Sequence, residues 1–138
     1  MSCGLGPPFA LAPTEALAYT EGFVTAIPYL PQAPDLGLLA DRETWPAAIS
    51  ELSHAGENYN RLPPGSVQDA VLARIHSAVC GSMPKDRRDS LTAWINTLLD
   101  LTKKSGTADA AVEQVKLYLG SRTGWLNAVM DEIGKCAK

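Results

Sequence analysis

The sequence has few side chains of the kinds that carry out catalysis. Its only histidines and cysteines among 138 residues are His54, His76, Cys3, Cys80 and Cys136. It contains no phosphate-binding glycine loop, no dinucleotide-binding glycine pattern, no nucleophile elbow and no paired-histidine helix motif. Neighbouring carboxylates such as Asp131 and Glu132 diverge by about 100° on a helix, which does not suit shared acid–base work. The sequence therefore predicts a protein that is not an enzyme, with no catalytic residues.

The sequence also has few residues at the spacing that metal ligands need. Only His76 and Cys80 have a useful separation, four residues apart on a predicted helix, where they could form one edge of a metal site. Zinc needs a complete set of such ligands at recognisable spacing. The simpler interpretation is a partly exposed histidine beside a small buried hydrophobic residue. We predict no metal and no organic cofactor.

Charge is scarce in the first third of the chain. All twelve basic residues lie from Arg42 onward, and the net charge is -3. The stretch "MSCGLGPPFALAP" has no Lys or Arg and is interrupted by prolines, so it does not resemble an export signal. We therefore expect a cytoplasmic protein whose three cysteines are reduced thiols. The mild acidity gives no electrostatic signature of nucleic-acid binding, and no apolar run approaches the ~20 residues that span a bilayer.

What the sequence does contain is helical periodicity. Apolar residues recur at spacings of three and four in six segments: residues 14–27, 44–56, 65–81, 83–106, 108–120 and 124–138. No segment shows the alternation of a strand. Gly56 is the expected end of the second helix. The prediction is an all-α protein, a compact bundle of about six helices in a single domain over residues 1–138, in which short links place chain neighbours side by side.

The prolines mark the N-terminal part, with six of ten in the first 34 residues. Residues 1–12 are expected to form a loose N-terminal arm. The stretch "PYLPQAP" opens a connector over residues 28–35, which is too apolar for a free linker. We predict that it is extended and lies on the bundle, fixed by Tyr29 and Leu30. Trp94 is predicted to be a core residue.

Two groups of residues are candidates for protein binding. Tyr59 and Arg61 fall in the polar segment 53–65, which is predicted to be a loop, and tyrosine and arginine are enriched at interface hot spots. Lys85, Arg87 and Arg88 form the only basic cluster, at the start of the longest helix. The ordinary alternatives are a connector with Tyr59 packed on the bundle, and a solvated helix start.

These observations favour a non-enzymatic protein-interaction module of the inhibitor, immunity, adaptor or chaperone type, which acts by binding a partner protein. A first alternative is a structural subunit of a larger assembly such as a virion or other particle, formed by self-association. A second is a nucleic-acid regulator, because a helix, a short turn and "KDRRD" have the layout of a helix-turn-helix. Binding to a membrane is not expected, and nucleic acid is the less favoured partner.

Overall fold

The computed structural model describes residues 13–34, 36–62, 65–103 and 109–136, with residues 13–16 and 36 described by their backbone only. Over these ranges the chain forms seven α-helices and no strand, which confirms the all-α class. The helices are α1 (Pro13–Ala26), α2 (Leu36–Leu39), α3 (Ala47–Arg61), α4 (Ser66–Ser77), α5 (Lys85–Lys103), α6 (Ala110–Gly120) and α7 (Thr123–Gly134). The helix beyond the six predicted is α2, a single turn. None of the helices within these ranges is long and apolar enough to cross a membrane.

Short irregular helical turns link some of these elements. The chain forms 3₁₀ turns at Ile27–Tyr29 and Arg42–Thr44, and a π-helical turn at Ala78–Ser82 directly after α4. We call this last segment the π-turn. Turns of this kind are rare and often lie at functional sites.

The packing of the helices follows the chain order only in part. Helix α5 packs against its chain neighbour α6, as the short links predicted, and also against α7, which the links did not predict. Helix α4 instead packs most extensively on α1 and α7. The π-turn and the extended backbone at Met83 separate α4 from α5 and redirect the chain, which explains why these two chain neighbours do not form the predicted side-by-side pair.

One hydrophobic core draws on all seven helices. Trp94 and Trp125 are fully buried, and the predicted core position of Trp94 is confirmed. The apolar stripes read from the sequence supply most of the other members, among them Ile49, Leu52, Val71, Ile75, Leu91, Ile95, Leu98, Leu119, Leu126 and Val129. The helical periodicity thus marked the buried faces correctly.

Helix α3 is longer than predicted. It does not end at Gly56 but runs on to Arg61, so most of the predicted polar loop is helix. Gly56 lies directly against the indole of Trp125, where a Cβ atom at position 56 would come within 2.3 Å of Cδ1. This glycine is needed for close packing, not for ending the helix.

Two helix starts have well-defined cap residues. Ser66 is the first residue of α4, and the cap position is taken by Gly65 with φ of 123°, a conformation that favours glycine. Helix α6 is capped by Asp109, whose carboxylate accepts from the amide of Ala111 over 2.9 Å.

Candidate functional site

The segment after α1 is ordered and lies on the bundle. A 3₁₀ turn over Ile27–Tyr29 is closed by a hydrogen bond from the amide of Leu30 to the carbonyl of Ile27, over 3.0 Å. The backbone is extended at Leu30, whose side chain is 2% exposed within the core. The prediction that Leu30 fixes this segment is confirmed, although the segment begins with a turn and only then becomes extended. The arm over residues 1–12 lies outside the described residues.

Two side chains of helix α5 donate hydrogen bonds to backbone carbonyls of this segment. Arg87 Nη1 donates to the carbonyl of Leu30 over 2.5 Å, and Trp94 Nε1 donates to the carbonyl of Pro31 over 2.7 Å. A proline-rich stretch has few amide donors but keeps all its carbonyl acceptors. Side-chain donors on a neighbouring helix are therefore a suitable way to fix it.

Tyr29 behaves differently from its neighbour. Its side chain is 85% exposed, so the prediction that it also fixes the connector is wrong. At this turn Leu30 is the residue that faces the core, and Tyr29 faces solvent. The result is a large aromatic side chain presented to solvent by a backbone that is held on the bundle.

An apolar cavity of about 220 Å³ lies beside this turn. Its walls come from α1, the 3₁₀ turn, the π-turn and the start of α5, and the lining residues are Val24, Ile27, Pro28, Ala78, Ser82, Met83, Pro84 and Arg87. We call it the connector cavity. Tyr29 follows its wall residue Pro28 in the chain. Arg87 is the charged residue in the lining.

The structure gives each basic residue of the predicted cluster a distinct position. Arg87 lines the connector cavity, while Arg88 Nη1 donates to the carbonyl of Met83 over 2.9 Å. Lys85 is exposed and forms an ion pair with Asp89 at 2.9 Å, one turn along α5. Exposed pairs of this kind contribute little to stability.

The other predicted group lies at the opposite end of α4. Gln68, near the start of α4, donates to the carbonyl of Tyr59 over 3.0 Å. The half-buried ring of Tyr59 packs on Trp125 at a centroid distance of 4.8 Å, and desolvation raises the pKa of its phenol. Arg61 is exposed and pairs with Glu57 at 3.5 Å. The structure thus gives Tyr59 a packing role, and partner binding by Tyr59 and Arg61 stays a prediction.

The cysteines differ most from expectation. Cys80 and Cys136 are joined as a disulfide with a Cα–Cα distance of 5.1 Å, so they are not the reduced thiols predicted. Cys80 lies in the π-turn and Cys136 just after α7, and the fold brings these two chain segments together. Cys3 lies outside the described residues.

His76 lies next to this disulfide. Its Nδ1 is 3.5 Å from Cys80 Sγ and 3.3 Å from Glu132 Oε1. The expected spacing of His76 and Cys80 on one helical face is therefore present. No group of three or more His, Cys, Asp or Glu side chains is arranged to hold a metal ion within the ranges that the structure describes.

Sequence reasoning missed the cavity and the disulfide. Tyr29 between two prolines was a usable signal for a rigidly presented aromatic residue. The positions of Cys80 and Cys136 near the ends of two predicted helices were compatible with pairing but did not indicate it.

Comparisons of the chain with protein-family models, with curated proteins and with solved structures gave no match.

Proposed function

We propose that this chain is a non-enzymatic protein-interaction module that binds a segment of a partner protein at the connector cavity. The observation that carries the proposal is Tyr29, 85% exposed beside an apolar cavity. The backbone next to Tyr29 is held by the buried side chain of Leu30 and by the hydrogen bonds that Arg87 and Trp94 donate. Because the backbone at Tyr29 is already held, binding has to order only its side chain, and aromatic residues are frequent hot spots.

The cavity indicates the chemistry of the partner segment. Its volume of about 220 Å³ exceeds the ~150 Å³ of an apolar cavity that accepts benzene, so it has room for a branched aliphatic or aromatic side chain. The guanidinium of Arg87 at the wall suits a carboxylate, which it can bind with two parallel hydrogen bonds. We therefore propose a partner segment in which an apolar side chain lies next to an Asp or Glu.

The remaining features of the proposal come from the sequence. The module is of the inhibitor, immunity, adaptor or chaperone type, and its proposed location is cytoplasmic. Lys85 and Arg61, both exposed, are proposed as peripheral contacts. A structural subunit that self-associates is the main alternative, and it would use the same surface, with Tyr29 of one copy entering the cavity of another. A nucleic-acid regulator is the less favoured alternative, because Arg88 donates to the carbonyl of Met83 and Lys85 pairs with Asp89, which leaves Arg87 as a single cation beside the cavity.

Site-specific photo-crosslinking tests the proposal. A benzoyl-phenylalanine at position 29, expressed in the native source, should crosslink to one discrete protein. The same probe at Leu117 is the control, because Leu117 is an exposed apolar residue at 69% on α6, outside the cavity lining. It should give no such product.

Variants of the cavity make the test specific. Ser82 is exposed and lines the cavity, so Ser82→Phe should fill it and abolish the crosslink at position 29. Ser66→Phe places the same ring at an exposed serine at the other end of α4 and should leave the crosslink unchanged. Crosslinking between copies of the chain would support the assembly subunit instead. A product that survives Ser82→Phe, or that joins position 29 to residues 1–12 of its own chain, would overturn the proposal.

A further inference from the structure

The disulfide is not enclosed by the core. Cys80 and Cys136 are both half-buried residues that pack against the core without being part of it. Thiol–disulfide exchange requires attack by a thiolate on one sulfur, and access is one of the conditions that determine its rate. The bond joins residues separated by 56 positions and connects the π-turn to the segment after α7.

The surroundings distinguish the two sulfurs. His76 Nδ1 is 3.5 Å from Cys80 Sγ, and the same nitrogen is 3.3 Å from Glu132 Oε1. Lys135 Nζ forms an ion pair with Glu132 Oε2 at 2.9 Å. Asp69 is a further charged residue, and it lines the same surface depression as His76, Glu132 and Lys135. An imidazole N–H within reach of a sulfur can donate a hydrogen bond to its thiolate, so Cys80, which has His76 at 3.5 Å, is the better leaving group of the two.

The π-turn links this bond to the connector cavity. Ala78 and Ser82, on either side of Cys80 in the π-turn, both line the cavity. The covalent bond at Cys80 therefore holds the backbone segment that forms one cavity wall. Opening the bond removes that restraint.

From these observations we infer that Cys80–Cys136 is a reversible thiol–disulfide exchange site that controls the shape of the connector cavity. A thiolate from a cellular thiol of the glutathione class attacks Cys136 Sγ, and the S–S bond breaks with its electron pair leaving on Cys80. A second thiol attacks the external sulfur of the mixed disulfide and releases Cys136. Two electrons and two protons pass from two thiols to the protein, and the thiols leave as their disulfide.

A cytoplasmic location agrees with this inference. Disulfides in that compartment are usually transient and serve catalysis or redox sensing. The exchange chemistry stands independently, whereas control of partner binding rests on the proposed function.

The test uses the full chain with Cys3→Ser, so that Cys80 and Cys136 are the only cysteines that can be alkylated or can form a mixed disulfide. The oxidised protein is incubated with reduced and oxidised glutathione in varied ratio, quenched with acid, alkylated and analysed by peptide mass spectrometry. We expect reversible opening with the helical circular dichroism retained, and a glutathione adduct on Cys136. His76→Gln should slow opening several-fold, while His54→Gln, at the other histidine, should leave the rate unchanged. A pair that resists glutathione, or a fold lost together with the bond, would show a purely structural disulfide.

Hydrogen exchange tests the link to the cavity without a partner. On reduction, amides of residues 78–83 should exchange faster, while those of the central part of α5, residues 91–98, should not change. Unchanged exchange at residues 78–83 would refute control of the cavity. Crosslinking from position 29 in the two redox states then tests the proposed function separately, because the alkylation and exchange results do not depend on any partner.

Discussion

Gly56 and Trp125 are in direct contact, with the indole ring of α7 lying against the bare backbone of α3. A Cβ at position 56 would approach Trp125 Cδ1 to 2.3 Å, and Trp125 Nε1 donates to the carbonyl of Leu52 over 2.8 Å. The hydrogen bond and the close approach fix α7 on α3. Because both groups are fully buried or nearly so, a change at either residue must displace the other.

Gly56→Ala should destabilise the protein by about 1–3 kcal/mol, the range for overpacking a core. Gly124→Ala is the matched control, since position 124 is also helical and has no atom within 4 Å of an added Cβ. Because position 124 lies in the first turn of α7, Gly124→Ala should leave the stability unchanged or raise it by less than the roughly 0.5–1 kcal/mol of a mid-helix position. Urea unfolding of both variants measures the difference, and equal stabilities would contradict the observed packing.

Leu30→Ala should lower the free energy of unfolding by about 2–4 kcal/mol, as expected for a buried leucine. Tyr29→Ala, one position away, should change it by less than about 0.5 kcal/mol because the side chain is exposed. Thermal or urea unfolding provides the comparison. Equal effects of the two substitutions would mean that the connector is not held on the bundle by Leu30.

Replacing both Cys80 and Cys136 by Ala should cost about 2–4 kcal/mol of unfolding free energy, because the bond restricts the unfolded chain. The helical circular dichroism should be retained. Cys3→Ala is the control and should have no effect if the pair is Cys80–Cys136. A double variant as stable as the parent would show that the bond is absent from the folded protein.

The phenol of Tyr59 should ionise at a higher pH than an exposed tyrosine. Desolvation is the largest cause that raises its pKa above the ordinary value of 10.0, and the charges of Asp69 and Glu132 add to it. The folded state favours the neutral phenol, so its contribution to stability is present below pH ~10 and is lost as the pH rises through the folded pKa. The tyrosinate absorbance of the parent minus that of Tyr59→Phe should give a midpoint above 10.0. A midpoint at or below this value would place the ring in solvent.

The ion pair between Glu21 and Arg74 should contribute to acid sensitivity. Arg74 Nη2 lies 2.9 Å from Glu21 Oε1, and its Nε also donates to this carboxylate. The hydrogen bond from Arg74 is the main cause that lowers the pKa of Glu21 from 4.5. Stability from this pair is present above that value and is lost as the pH falls through the lower folded pKa.

Because both side chains are substantially exposed, the effect of the pair should be only about 0.2–1 kcal/mol. Glu21→Gln should reduce the loss of stability between neutral and acid pH by that amount. Glu43→Gln, an exposed carboxylate in the 3₁₀ turn Arg42–Thr44, is the control. If Glu21→Gln loses as much stability between neutral and acid pH as the parent does, the ion pair does not contribute to acid sensitivity.

The helices and their buried faces could be predicted from the sequence because helical periodicity is a local property. The stripe that includes Leu91, Ile95 and Leu98 determines which face of α5 is buried, whatever its neighbours are. The apolar character of the connector likewise indicated that Leu30 would be buried. These inferences need only the chain within one or two turns of each residue.

Tertiary packing decided the rest, because it depends on contacts between distant segments. Gly56 is compatible with a helix end until Trp125 is placed against it. Cys80 and Cys136 form a pair only because α4 packs on α7 and brings positions 56 residues apart together. The exposure of Tyr29 and the cavity beside it also follow from how α1, the π-turn and α5 meet. No periodicity in the sequence encodes that junction, since each of its walls comes from a different element.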